Sequence, residues 1–113
     1  MCGGRIVDNL EKTLHYSELL SLYGVLLSKT QREVLEDYYL YNLSLSEMAE
    51  NRKISRAAAE DAYKKGTKNL DEFEEKLCSL KILWKVHELR INSKDEQLNK
   101  QLDEIERILR HGI

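Results

Sequence analysis

Ser55, Arg56, Lys64, Lys65 and Lys68 follow an Arg52-Lys53 pair within one short stretch of the chain. These side chains form no catalytic set. What they offer is phosphate recognition. Guanidinium and ammonium groups neutralise phosphate charge, and a serine at a helix start can donate to a phosphate oxygen beside exposed backbone amides. Residues 52–69 hold those six cations against only Glu60 and Asp61, a net +4, whereas residues 28–51 and 70–76 each carry −3. A cationic island of this kind steers a polyanion even though the whole chain carries −2. Arg56–Glu60, Glu60–Lys64 and Asp61–Lys65 also stand four apart. Local ion pairing on a solvated helix face therefore competes with phosphate binding for the same charges.

Other chemistries find no footing. His15, His87 and His111 are scattered, and no pair has ligand spacing with another donor. His87 beside Trp84 reads as a helix-packing residue. Cys2 and Cys78 lie too far apart for a disulfide framework or a zinc pattern. No hydrophobic stretch of a lipid-attachment signal precedes Cys2, and Cys78 falls on what reads as an apolar helical face. The carboxylates of residues 71–75 read as a solvent face rather than a convergent pair. With no grouping of nucleophile, base and orienter, the expectation is a non-enzyme with no catalytic residues, no metal and no cofactor.

The elements that must position the cationic island are helices. The chain has 113 residues, no proline, five glycines and 42% hydrophobic residues, which fits one all-α domain. Apolar spacing predicts helices over residues 8–27, 29–41, 45–51 and 56–79, forming a domain over 1–79. Ser28-Lys29-Thr30-Gln31 and Ser44-Leu45-Ser46-Glu47 read as capping boxes, and Asn42 as a left-handed stop. Asn51-Arg52-Lys53 reads as a turn, Ile54 as a core plug and Ser55 as an N-cap. The helix after Ser55 puts Ala59, Ala62, Tyr63, Gly66, Leu70, Phe73 and Leu77 on one face. Gly66 there costs about 1 kcal/mol relative to alanine, which a close helix crossing would explain.

Residues 80–113 form a C-terminal helical extension, expected to pack on the domain or to dimerise. Leu80, Leu83, Trp84, His87 and Ile91 suggest one helix, and Ser93-Lys94-Asp95-Glu96 a box-like start for another. Leu98, Leu102, Ile105, Ile108 and Leu109 then form an apolar stripe that something must cover. A homodimer through Leu98, Leu102, Ile105 and Leu109 is one way to cover it. No apolar stretch approaches the roughly 18 residues needed to span a bilayer, and the N-terminus lacks a signal-peptide pattern. The expectation is a soluble cytoplasmic protein without membrane insertion.

Residues 44–65 have the layout of a helix-turn-helix, in which a short capped helix braces a second whose first turn faces a groove. In this reading Ser55 caps the recognition helix and Arg56 points outward, while Lys64, Lys65 and Lys68 line the backbone side. Leu27-Ser28-Lys29-Thr30-Gln31-Arg32-Glu33-Val34-Leu35, followed by Leu43-Ser44-Leu45-Ser46-Glu47-Met48-Ala49-Glu50, resembles the fourth region of bacterial sigma factors. Tyr38-Tyr39 between them and Asp71-Glu72-Phe73-Glu74-Glu75-Lys76-Leu77 after them narrow the resemblance to the YlxM family. These are small helical proteins associated with the signal recognition particle pathway. The similarity covers Leu19 to Leu77, about half of the chain.

The resemblance implies a sigma-like helix-turn-helix bundle and a regulatory or accessory role near the protein-targeting machinery. It implies signal recognition particle components as partners and weak binding of DNA or RNA. It places Ser55 and Arg56 at the start of the recognition helix and Lys64-Lys65 at its basic pair. The nucleic-acid-binding set expected from the sequence is thus Arg52, Lys53, Ser55, Arg56, Lys64, Lys65 and Lys68. The chain departs from the family pattern in the turn, where a glycine usually stands at Lys53 and a hydrophobic residue at Arg52. A left-handed Lys53 would be strained, so a relaxed turn is expected. It departs again at Ala57 and Ala59-Glu60, where alanine offers a base edge only a methyl contact and Glu60 repels phosphate. The alternative is a protein-interaction module on the same scaffold that does not read sequence.

Overall fold

A computed structural model describes the backbone of residues 2–111 and the side chains of residues 10–111. Among the described residues the chain is all-helical. Helix α1 runs over Cys2–Tyr23 and gives way to a tight 3-10 turn, Gly24–Leu26. It thus begins earlier and ends sooner than the 8–27 span expected from periodicity. Leu27 turns the chain out with an extended backbone, and Ser28 caps α2 (Lys29–Leu35) by accepting from the Gln31 amide at 3.2 Å. The Gln31 side chain does not close the expected box. Its Oε1 accepts from Asn69 Nδ2 at 3.3 Å, tying α2 to the fourth helix.

The single helix expected over 29–41 changes winding midway, and Glu36–Leu40 forms a π-helical turn. Asn42 then stops it with φ 56, in the left-handed region that asparagine tolerates. Helix α3 (Leu45–Arg52) opens on a complete capping box: Ser44 Oγ accepts from Glu47 N, and Glu47 Oε1 accepts from Ser44 N, both at 3.1 Å.

Helix α4 spans Arg56–Leu77. It ends two residues before the expected limit because Cys78 adopts φ 54 and reverses the chain. Cys78 therefore sits at a left-handed helix junction, not on an apolar helical face, and Leu77 is exposed. Helix α5 (Ser79–Asn92) begins with its orphan amides satisfied from α4: Glu74 accepts from Leu80 N at 3.0 Å and Lys81 N at 3.2 Å. The Tyr23 hydroxyl completes this corner, donating to Glu74 at 2.7 Å and accepting from Ser79 N at 2.9 Å. Helix α6 (Glu96–His111) is capped by Asp95, not Ser93, since Asp95 Oδ1 accepts from Gln97 N at 3.0 Å and Leu98 N at 3.3 Å.

Two core clusters hold these helices. The larger gathers Leu19, Leu20, Tyr23 and Leu27 with Leu35, Tyr39, Leu70, Leu80 and Leu83. It therefore draws α5 into the same core as α1, α2 and α4. The smaller joins Val34 of α2, Met48 of α3 and Ala62 of α4. Between the clusters α2 crosses α4 at Gly66, where a Cβ would lie 2.8 Å from Leu35 Cδ1 and 3.2 Å from its Cγ. The close crossing that would explain this glycine is present.

The terminal stripe is divided. Leu102 is buried and Leu109 packs partly against the larger core, so these two positions are used within the chain and are not open to a second copy. Leu98, Ile105 and Ile108 remain 42–47% exposed. Helices α5 and α6 are clamped by Arg90, which donates to both oxygens of Glu106 at 2.9 and 3.2 Å, with His87 Nδ1 3.6 Å from the same carboxylate.

Two measurements check this packing. Gly66→Ala gains about 1 kcal/mol of helix propensity but overpacks fully buried Leu35, which costs about 1–3 kcal/mol. The expected net result is a lower denaturant midpoint, and Gly66→Val should lower it further. The Arg90 hydrogen bond holds the Glu106 carboxyl below its ordinary range. A depressed folded-state value adds stability that is complete above the usual glutamate range and is lost as pH falls through the folded value. Urea midpoints of the native chain and Glu106→Gln should therefore differ at neutral pH and converge in acid.

Candidate nucleic-acid interface

The interface is built from α3, the turn after it and the leading end of α4. The turn is not relaxed. Lys53 adopts φ 56 and ψ 44, the left-handed conformation that glycine would take without cost. Ile54 N donates to Ala49 O at 3.0 Å, the six-residue closure of a Schellman helix end, and Lys53 N donates to Glu50 O at 3.4 Å. A lysine in this position costs about 1 kcal/mol. The turn persists because Ile54, its next residue, packs against the cluster of Val34, Met48 and Ala62.

Ser55 then caps α4, its Oγ accepting from Ala58 N at 3.0 Å. The oxygen accepts this bond, which leaves the hydroxyl hydrogen to donate outward. Ser55, Arg56, Ala57 and Ala58 are all exposed. The α5–α6 hairpin packs against α1 and leaves this leading turn exposed. Lys53 and Lys68 are exposed as well. Lys64 lies 3.0 Å from Glu60 and Lys65 3.2 Å from Asp61, so both members of the basic pair are engaged along their own helix. Exposed pairs of this kind contribute only a few tenths of a kcal/mol and exchange readily for a phosphate partner.

Arg52 differs from the other cations. Its Nε donates to Asp37 Oδ2 at 2.6 Å, Nη2 to Asp37 Oδ1 at 3.0 Å, and Nη1 to Glu33 Oε2 at 2.7 Å. The hydrogen bonds to Asp37, above all, hold the guanidinium in its charged form. This side chain faces inward across α3 to α2 and the π turn, and it does not join the cationic face expected from the sequence. Asp37 is a buried carboxylate, and without Arg52 it would stand unpaired. The signal for this clamp was present in the sequence, since Glu33 and Asp37 stand four apart on one helix face, a fork-shaped target for an arginine.

A second feature went unread. Tyr16, Tyr38, Tyr39 and Tyr63 form one aromatic cluster, with Tyr38 and Tyr63 centroids 4.4 Å apart and Tyr16 stacked on Tyr39 at 5.2 Å. Burial, with the neighbouring hydroxyls and Asp71, pushes the Tyr16 and Tyr63 phenols up to about 12, so both stay neutral donors. Among the described residues no group of three or more His, Cys, Asp or Glu could hold a metal ion. No helix there is long and apolar enough to cross a membrane.

Truncating Arg52 should act on stability. Arg52→Ala leaves Asp37 buried without its partner, a loss of about 1–3 kcal/mol. Arg52→Met combined with Asp37→Leu should recover much of that loss, because no buried charge is then stranded and Glu33 is partly exposed to solvent. Chemical denaturation of the single and double variants reads the difference.

Comparison with known proteins agrees with this geometry. Residues 10–109 match the sequence model of the UPF0122 family, described as "Putative helix-turn-helix protein, YlxM / p13 like". A UPF0122 protein of Fusobacterium nucleatum is 33% identical over 96 residues, covering 85% of this chain and 93% of its own. One from Malacoplasma penetrans is 41% identical over 93 residues, covering 80% and 84%. One from Bacillus cereus is 35% identical over 101 residues, covering 85% and 92%. No solved structure matches the chain significantly. A family match spanning nearly the whole chain, on a fold with a braced turn and an open-ended second helix, places this protein in the UPF0122 family of YlxM/p13-like helix-turn-helix proteins.

Proposed function

We propose that this chain is a regulatory helix-turn-helix protein that binds nucleic acid through the leading turn of α4 and works with the signal recognition particle targeting machinery. The single observation that supports nucleic-acid binding is the open amino end of α4. Its capped start is exposed from Ser55 to Ala58, and exposed Lys53 precedes it. Backbone amides at this end and the positive pole of the helix favour a phosphate there. Lys64, Lys65 and Lys68 extend the contact along the helix, with Lys64 and Lys65 giving up their pairs to Glu60 and Asp61. Ala57 and Ala58 can touch a base edge only through a methyl group, so the binding is mainly to backbone and weakly selective among sequences. Arg52 is left out of this set because its charge is already matched by Asp37 and Glu33.

The place in protein targeting rests on the family resemblance. It is favoured by one further observation. The α5–α6 hairpin turns Ile82, Trp84, Leu89, Ile91, Leu98, Ile105 and Ile108 to solvent, each more than 40% exposed. Apolar side chains gathered on two neighbouring helices suit a protein partner better than a polyanion. In this reading the leading turn of α4 meets nucleic acid and the α5–α6 hairpin a protein component.

Salt dependence separates the two contacts. Retention on DNA or RNA should weaken as salt rises, with a log–log slope near −0.9 per phosphate neutralised on duplex DNA. Arg56→Ala and Lys68→Ala should each weaken binding across all sequences and flatten the slope by about 1. Unchanged retention in the double variant would remove the groove-binding reading. Affinity purification of the native chain should co-isolate signal recognition particle protein or RNA, and recovery of neither would remove the targeting reading.

A further inference from the structure

The cations of α4 fall into two classes. Arg56 and Lys68 make no ion pair among the described residues, whereas Lys64 lies 3.0 Å from Glu60 and Lys65 3.2 Å from Asp61. Glu60 stands four residues from Arg56 as well as from Lys64, and it meets Lys64. Neither carboxylate has a packing task. Their side chains are 46% and 60% exposed, and those of the two lysines more so, which leaves both pairs standing in solvent. Both acids lie beyond the first turn of α4, where the positive pole of the helix no longer favours them. Asp61 is also a poorer helix former than lysine, glutamate or alanine. The helix is held instead through Ala59, Ala62, Gly66 and Leu70, which are buried on its other side. Two carboxylates thus divide a cationic face, with Arg56 before them and Lys64, Lys65 and Lys68 after them. Arg56 and Lys64 are about 12 Å apart along the helix, so a polyanion reaching both passes the two acids.

We propose that Glu60 and Asp61 set the affinity of this face by holding Lys64 and Lys65 in pairs that a phosphate backbone has to displace. The proposal rests on the reading of α4 as the nucleic-acid contact. Each of these lysines then contributes only the difference between a phosphate partner and a carboxylate partner, while Arg56 and Lys68 contribute the whole of theirs. The pairs carry no information about base sequence, so the two acids attenuate the strength of binding and leave its selectivity as it is.

The test is anisotropy titration of a fluorescent duplex DNA with the full chain over a range of salt. Glu60→Gln combined with Asp61→Asn should tighten binding about threefold to fivefold at low salt, since each exposed pair is worth about a twofold change. The log–log slope should steepen by up to about 0.9 for each lysine freed. Two controls separate this effect from net charge. Glu88→Gln with Glu104→Gln makes the same charge change at exposed positions of the α5–α6 hairpin and should tighten binding by less than about twofold, because distant exposed charges are screened. In a Lys64→Ala, Lys65→Ala background the gain from neutralising the two acids should shrink towards that of the hairpin control, as coupled partners require. Circular dichroism should be unchanged throughout, since all these side chains are exposed. A gain no larger than the hairpin control, or one undiminished without the lysines, would overturn the proposal. Retention of the native chain with no gain removes only this inference, whereas retention of neither the native chain nor the neutralised variant removes the nucleic-acid reading with it.

Discussion

The bundle is organised around the contact of Gly66 on α4 with Leu35 on α2. With no side chain at 66, Leu35 enters the space a Cβ would fill and becomes fully buried. One turn beyond Leu35 lie Tyr38 and Tyr39, and one turn before Gly66 lies Tyr63, so the crossing brings the aromatic cluster together. One turn after Gly66 lies Leu70, which joins Leu35 in the larger core. Helix α4 is thus gripped at its middle, roughly three turns after it starts. Its first turn needs no support from the rest of the bundle beyond Ile54 and the brace of α3. That is why the leading end can project with four consecutive exposed residues, Ser55 to Ala58.

The brace itself cannot stand alone, since an eight-residue helix is far below the length at which helices persist in water. Three features fix α3: Met48 buried in the smaller cluster, the reciprocal cap at Ser44, and the fork of Arg52. The fork is charged on both sides and only partly screened by solvent. It ties the last turn of α3 to α2 and the π turn, next to the strained Lys53. A residue that looks like part of a cationic surface is spent on geometry. The +4 of residues 52–69 therefore overstates the field presented outward, because Arg52 is matched by Glu33 and Asp37, which lie outside that segment.

The sequence carried the elements whose signals are local. Ser44 and Glu47, Ser55 and Asn42 are read from spacing alone, since each needs only its neighbours within one turn. Periodicity also placed Ala59, Ala62, Gly66 and Leu70 on one face of α4, and all four are buried. What it missed depends on partners distant in the chain. Gln31 turns to Asn69 rather than back to its own helix start, and Glu74 caps α5 rather than standing on a solvent face. The inward turn of Arg52 depends on Glu33 and Asp37, 19 and 15 residues before it. Lys53 was expected to avoid the left-handed region on intrinsic preference, a cost of about 1 kcal/mol. Packing Ile54 against the smaller cluster and closing the six-residue hydrogen bond outweigh that cost. The tyrosine cluster was not legible either, because it joins α1, the π turn and α4 at once.

The C-terminal hairpin follows from the same physics of coverage. A helix whose apolar stripe is broader than one neighbour can bury leaves part of it exposed. On α6, Leu102 and Leu109 meet the hairpin and the core, while Leu98, Ile105 and Ile108 lie at the stripe's outer edge. On α5, Leu80, Leu83 and Val86 are buried, but Ile82, Trp84, Leu89 and Ile91 face away from α1. A hairpin packed against the bundle on one side leaves its outer flanks exposed. Core completion therefore accounts for the inner residues of the hairpin and not for the outer ones. Isolated outward leucines are ordinary on a protein surface, and the exposed Trp84 with six aliphatic side chains on this pair of helices is the feature that the proposed protein contact would use.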